Sequence, residues 1–268
     1  MKKSFSRLMI CLTAAISFPA AAQSAPAPNP LRGSLYGLAE QFEWKEFDDD
    51  GGRILKESGP LFGIGGRVDF DTGKGVHVEG LAEGFFGRVD YDGATQSGVP
   101  VSSRTKYAGA TAEATLALPL KMGPGLSAGP FGGAGGRLWR RDLEDSGASY
   151  GYVENWTTLY GIAGFRAAGR MGSNAELYGK AAVKLPFYNR VNYDFSRLNG
   201  PDDVEVEPDG KASPFLEVGI TVGDFLLAGF YEEMHFEKSN QAEIGNSIIV
   251  WQPESEAAMF GVRAGVTF

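Results

Sequence analysis

The chain has 268 residues, with 33 acidic against 25 basic side chains and a net charge of −8. That balance offers no basic stripe for a nucleic-acid partner. Its 38 glycines and 18 phenylalanines favour closely approaching strands with large outward side chains, and no run reaches the ~18 consecutive apolar residues of a transmembrane helix.

The N-terminus reads as a targeting segment. Lys2, Lys3 and Arg7 precede a mostly apolar stretch over 8–18, and Ala20 and Ala22 supply a small-residue cleavage site. This is the pattern of a Sec-type signal peptide over residues 1–22. The single cysteine, Cys11, lies inside it. The processed chain therefore has no disulfide, and Ile10 just before Cys11 argues against a lipoprotein. A Pro-rich leader over 23–32 is expected next, then a folded unit over 33–268.

Alternating patterns place ten strands, near 34–47, 61–70, 76–91, 105–118, 126–143, 156–170, 176–193, 214–222, 225–237 and 257–268. None shows a capped helical period. Most match or exceed the ~9–11 residues that a tilted strand needs to cross a bilayer. The connections alternate in length. "DDDGGRILKESGP", "DGATQSGVPVSSR", "EDSGASYGYVEN", "DFSRLNGPDDVEVEPDGKAS" and "KSNQAEIGNSIIVWQPES" are long, whereas "DTGKG", "PLKMGPG", "MGSN" and "GD" are short. Long loops at one end, short turns at the other and an even strand count predict an all-β, closed antiparallel transmembrane barrel of ten strands, with eight as the alternative count.

The faces agree with that architecture. Ala108, Ala110, Ala112, Ala114, Leu116 and Leu118 alternate with Tyr107, Thr111, Glu113 and Thr115, and Leu216, Val218 and Ile220 alternate with Glu217 and Thr221. Glu40 and Glu83 break phase, so a bulge or a different register is expected in the first and third strands. Trp44, Trp139 and Trp156 at strand ends, with Trp251 in a long connection, suggest an aromatic girdle at the outer interface.

The last segment alternates Phe260, Val262, Ala264, Val266 and Phe268 with small or polar residues. It resembles the terminal strand of Gram-negative outer-membrane β-barrel proteins, and the resemblance extends over the signal peptide and the hairpin pattern. It implies outer-membrane residence and assembly-machinery recognition of Phe260, Val262, Val266 and Phe268.

Inward candidates carry both signs: Arg67, Asp69, Glu79, Glu113, Arg137, Arg166, Lys180, Lys184, Glu217, Glu233 and Arg263. In a narrow lumen such charges must pair or stay hydrated. A structural plug is favoured over a porin-like conduit, because large side chains leave little bore in a ten-stranded barrel. Asp90 and Asp92, with Glu233 and His235, are the weak catalytic candidates. Their pattern is similar in part to omptin proteases, ten-stranded barrels that pair two aspartates with an Asp/His couple; here the acid is Glu233 and the couple sits on the ninth strand. His77 is expected at the periplasmic start of the third strand, too distant to assist. No cofactor or metal is expected. Trp44, Lys45, Trp139, Arg140, Arg141 and Arg190, together with Arg104 and Lys106, are expected at the outer rim, facing lipid and lipopolysaccharide phosphates. The function expected is non-enzymatic: structural, adhesive or ligand-binding through the long loops.

Overall fold

The computed structural model describes residues 31–94, 99–147, 150–198, 204–244 and 248–268; the expected signal peptide and all but the end of the expected leader lie outside them. Ten long strands form the barrel: β1 Leu31–Phe47, β2 Arg53–Asp71, β3 His77–Ala94, β4 Pro100–Ala117, β5 Leu126–Leu143, β6 Val153–Met171, β7 Ala175–Asp194, β8 Ser213–Val222, β9 Phe225–Phe236 and β10 Glu254–Thr267. Each pairs antiparallel with its chain neighbours, and β10 pairs with β1 from Ser34↔Thr267 to Phe47↔Glu254, which closes the ring. The first strand begins at Leu31, inside the segment expected to be leader.

Closure follows from the solvent. In hydrocarbon an unpaired backbone group costs several kcal/mol, so no edge is tolerated. At the seam the amide and carbonyl of Phe268 exchange 2.9 Å hydrogen bonds with those of Gly33. A Cβ on Gly33 would fall 2.5 Å from the Phe268 ring, so the terminal aromatic rests on that glycine. At the same end the two-residue link Gly223–Asp224 turns β8 into β9, with Gly223 at φ 57, a conformation costly to other residues.

The outward face carries a belt of large apolar side chains, including Phe62, Ile64, Phe86, Phe165, Phe187, Val218, Phe225 and Phe260, all more than half exposed. So much exposed apolar surface is the mark of a lipid-facing wall. The strands overshoot it. β1 has 17 residues, about 56 Å of strand and about 43 Å of height at a ~40° tilt, against a belt of about 25 Å. The surplus stands above the belt on the side away from the termini, and there Gln41, Glu43, Lys45, Lys56, Ser58, Asp90 and Asp92 face out.

That overshoot changes the connections. The segments expected to be long loops after the first and third strands are largely strand: Arg53–Pro60 belongs to β2, and Pro100–Arg104 to β4. The connection expected after the fifth strand shortens to 144–152, and the long ones that remain are 195–212 and 237–253, the first with short strands Val204–Val206 and Gly210–Lys211, the second with a hairpin of Ala242–Ile244 and Ile248–Val250. Glu40 and Glu83 face inward on regular stretches, so their break of phase reflects a different register; a register shift does fall in the first strand, but at Glu46/Phe47, and another at Leu159/Tyr160, opposite Phe187.

Gly265 makes the seam testable. A Cβ there would lie 2.0 Å from the Leu35 carbonyl oxygen and 2.5 Å from Tyr36 Cα, backbone atoms that cannot yield. Gly265→Val should cost about 3 kcal/mol or more through overpacking and reduce the heat-modifiable folded band on gels, whereas Thr267→Val on the same face should migrate and unfold in urea much like wild type.

Candidate functional site

Because β-strands alternate faces, every second residue of the ten strands enters the lumen. The lumen is filled in layers. Nearest the termini, Glu217 is the hub: it accepts from Arg67 at 2.8 and 3.0 Å and from Arg263 at 2.7 Å. Arg263 also grips Glu83 at 2.5 and 3.0 Å, and Tyr36 donates to the same carboxylate at 2.8 Å. Lys180 donates to Glu79 at 2.5 and 2.6 Å, with Arg166 3.4 Å from it. These groups are nearly all buried, so each charge is held by a partner and not by water.

The middle layer mixes charge and sulfur. Lys184 bridges Glu113 at 2.7 Å and Glu232 at 2.9 Å, and Tyr160 donates to Glu113 at 2.7 Å. Arg137 donates to Thr111 at 3.0 Å, lies 2.9 Å from Met259 Sδ and stacks over Phe85 at 5.0 Å. Above it Arg141, 1% exposed, is enclosed by three carboxylates: Glu46 at 2.8 Å, Glu154 at 3.0 Å and Glu57 at 3.1 Å. Neutral donors complete these acids. Trp44 donates to Glu46 and Trp156 to Glu154, each at 2.9 Å, while Thr105 and Tyr107 donate to Glu57.

Trp139 stacks on Trp156 at 5.1 Å and 10°, and Trp44 meets Trp156 edge-on at 5.1 Å. All three are at most 5% exposed. The expected outer girdle of Trp44, Trp139 and Trp156 is thus corrected: they form an aromatic core inside the overshooting barrel, and Arg141 points in with them. Phenylalanine marks the lipid boundary instead, with Phe62, Phe86 and Phe260 the last large apolar side chains before polar ones.

The expected lumen set divides. Arg67, Asp69, Glu79, Glu113, Arg137, Arg166, Lys180, Lys184, Glu217 and Arg263 face inward, whereas Glu233 faces out. Glu40, Glu46, Glu57, Glu154, Glu232 and Arg141 belong to the lumen and were not anticipated there.

The catalytic candidates do not converge. Asp90 and Asp92 lie on the outer face of β3, and Glu233 and His235 on the outer face of β9, with β2, β1 and β10 between. Four interstrand steps separate them by about 19 Å, too far to share one water. His235 lies 2.9 Å from Glu233 and 3.9 Å from Glu256, and a ladder of Lys45, Glu43 and Lys56 continues around the barrel. His77 does begin β3 at the terminal end, 2.7 Å from Asp69. Asp69, His77 and Glu79 could in principle meet one cation. Arg166, 3.6 Å from Asp69, and Lys180 on Glu79 already supply positive charge there, which opposes a metal ion.

The remaining rim residues face out. Arg140 is 3.7 Å from Asp142 and Arg190 is 3.2 Å from Glu205. Phe260, Val262, Val266 and Phe268 face lipid on β10 and its terminus.

Glu217→Ala should leave Arg67 and Arg263 buried without their shared counter-ion and cost about 3–5 kcal/mol. Lys45→Gln, which breaks only half-exposed pairs, should cost under about 1 kcal/mol. Urea unfolding of the barrel refolded in micelles measures both.

No protein-family model matches the chain, and no curated protein matches it. In structure it is similar to the outer membrane protease OmpT from Escherichia coli, at a TM-score of 0.62 and 10% identity over 92% of this chain and 98% of that one. The translocator domain of the autotransporter NalP from Neisseria meningitidis aligns at a TM-score of 0.46 and 14% identity over 88% of each chain. The transport unit of the autotransporter AIDA-I from Escherichia coli aligns at 0.43 and 10% identity, over 88% of this chain and 90% of that one. At such identities the likeness is one of fold: this chain is a closed ten-stranded barrel of the outer-membrane type.

Proposed function

We propose that the protein is a non-enzymatic, non-conducting outer-membrane barrel that holds its extracellular connections as a binding or adhesive surface. The observation that carries this reading is the lumen. Apart from Glu40, which is buried without a hydrogen-bond or ion-pair partner, its named inward charges are paired at both levels of the membrane belt, and above the belt Trp44, Trp139, Trp156 and Phe236 close the interior. A conduit needs a hydrated path, and side chains fill small barrels of this kind. A hydrolase needs an acid and base within reach of one water, and Asp90, Asp92 and His235 stand on separate outer faces.

The surface that remains is the outermost structure. Between β9 and β10 the hairpin Ala242–Ile244 with Ile248–Val250 is followed by Trp251, and Ile249 and Trp251 are 45% and 37% exposed. Exposed apolar and aromatic side chains beyond the lipid belt are typical of contact surfaces. Lys238 lies over the Trp251 ring at 5.4 Å and pairs with Asp49 at 2.8 Å, which ties the hairpin's base to the first connection.

Bacteria displaying the protein should bind extracellular matrix or epithelial cells, and removal of residues 241–251 should lower that binding at least tenfold while heat-modifiable folding persists. Equal binding without the hairpin defeats the adhesive reading. In planar bilayers the purified barrel should give no discrete conductance steps; steps re-sized by Lys180→Ala would instead establish a channel.

A further inference from the structure

We propose that the cage of Glu46, Glu57 and Glu154 around Arg141 is a proton-operated latch on the extracellular end of the barrel, closed by one bound proton and loosened when that proton leaves. The inference needs only the sealed barrel and is independent of what the connections bind.

Charge sets this cage apart. In the layer nearest the termini four cations, Arg67, Arg166, Lys180 and Arg263, meet four acids, Asp69, Glu79, Glu83 and Glu217. Above the belt one guanidinium meets three carboxylates, whose side chains are at most 10% exposed. Donors on Trp44, Trp156, Thr105 and Tyr107 lower the cost of that charge without cancelling it. The groups around the cage on the other elements are neutral: Tyr91 on β3, Tyr107 on β4, Tyr152 ahead of β6, Tyr193 on β7, Phe236 on β9 and Gln252 ahead of β10. Lys45, Lys56 and Arg140, on the same strands as the cage, face out. Among the described residues, then, no second cation offsets the surplus of acid.

Geometry assigns the proton to Glu46 and Glu154. Arg141 gives Nε to Glu57 and its single Nη1 to both Glu46, at 2.8 Å, and Glu154, at 3.0 Å. Its Nη2 is buried with no partner. Two carboxylates on one nitrogen lie within about 6 Å of each other, close enough for like charges to force a shared proton. Were both charged, the idle Nη2 would be the better partner for one of them. Burial, with the charge of Glu46 beside it, holds the Glu154 carboxyl above its usual range against the pull of Arg141. Burial also raises the phenols of Tyr91, Tyr107, Tyr152 and Tyr193, so the carboxylates titrate first. Each acid of the pair stands at the root of a connection. Glu46 adjoins the end of β1, where the register already shifts, and Glu154 is the second residue of β6. A folded-state acid that keeps its proton to higher pH than the unfolded chain stabilises in acid, and that stability is lost as pH rises. Alkali therefore opens the latch.

The test uses the full-length processed barrel refolded in micelles, carrying Trp251→Phe so that Trp44, Trp139 and Trp156 alone report. Between about pH 5 and about pH 9, acrylamide quenching of these tryptophans should rise about twofold and reversibly. Infrared difference spectra should lose a carboxylic-acid carbonyl band over the same range. Glu154→Gln keeps the size of the side chain and an oxygen for Arg141, and should leave quenching low and flat and abolish the loss of that band. Glu46→Gln should behave likewise, and carries the test if Glu154→Gln does not fold. Glu205→Gln on the rim should titrate like wild type. Identical titrations in wild type and both cage variants, quenching that rises in acid, or a transition set by sodium and not by pH would each overturn the inference while the heat-modifiable barrel stands. Failure of both cage variants to fold would show that each acid is required charged, and would overturn it equally.

Discussion

The molecule depends on one constraint: inside hydrocarbon a backbone amide has no water to fall back on. A sheet of amphipathic strands can satisfy this only by pairing its last strand with its first. The β1–β10 ladder runs from Ser34↔Thr267 to Phe47↔Glu254, so it continues well above the height that lipid enforces. Closure then dictates the rest. A ring of ten strands encloses a space too small to be a bulk aqueous channel and too polar to stay empty, and the sequence must fill it with side chains whose charges cancel locally.

The interior solves this differently at different heights. Within the belt the inward face uses long cations that each reach two carboxylates, as Lys184 does with Glu113 and Glu232 and Arg263 with Glu83 and Glu217. Above the belt the outside is wet, and the barrel behaves like a small water-soluble domain with a core of its own. Trp44, Trp139, Trp156 and Phe236 supply apolar burial, and one guanidinium serves three acids because indole, phenol and hydroxyl donors share the load. Buried charge of this kind adds little net stability over an apolar core. What it does add is register, since Arg141 meets Glu46, Glu57 and Glu154 only when β1, β2, β5 and β6 are correctly aligned.

How much of this was legible in the sequence follows the same height. Where one face meets lipid, alternation is clean: Ala108 to Leu118 and Leu216 to Ile220 identify the fold, the strand count and most of the lumen charges. Above the belt both faces are mixed, so the two-residue period no longer separates inside from outside. Arg53–Pro60 is therefore indistinguishable from loop, and Trp44 and Arg141 look like interfacial residues although they are core. The signal that could have corrected this was the phase itself. Continuing the even-numbered face of β1 from Tyr36 through Glu40 brings Trp44 and Glu46 inside without any bulge. Glu40 and Glu83 were the correct register speaking against an assumed one.

The same reasoning separates scaffold from function. Positions fixed by closure, such as Gly265 against the Leu35 carbonyl, and positions fixed by charge pairing, such as Glu217, are constrained by physics common to any sealed barrel. They say little about what the protein does. Freedom begins on the outer wall and in the connections, where the belt requires only that a residue be apolar and the rim only that it be polar. Lipid alone would accept leucine at Ala110 and glutamine at Arg88. Where the outward residues depart from that minimum, sealing the barrel does not explain them, and it is on such unforced choices that the protein's individual function must be written.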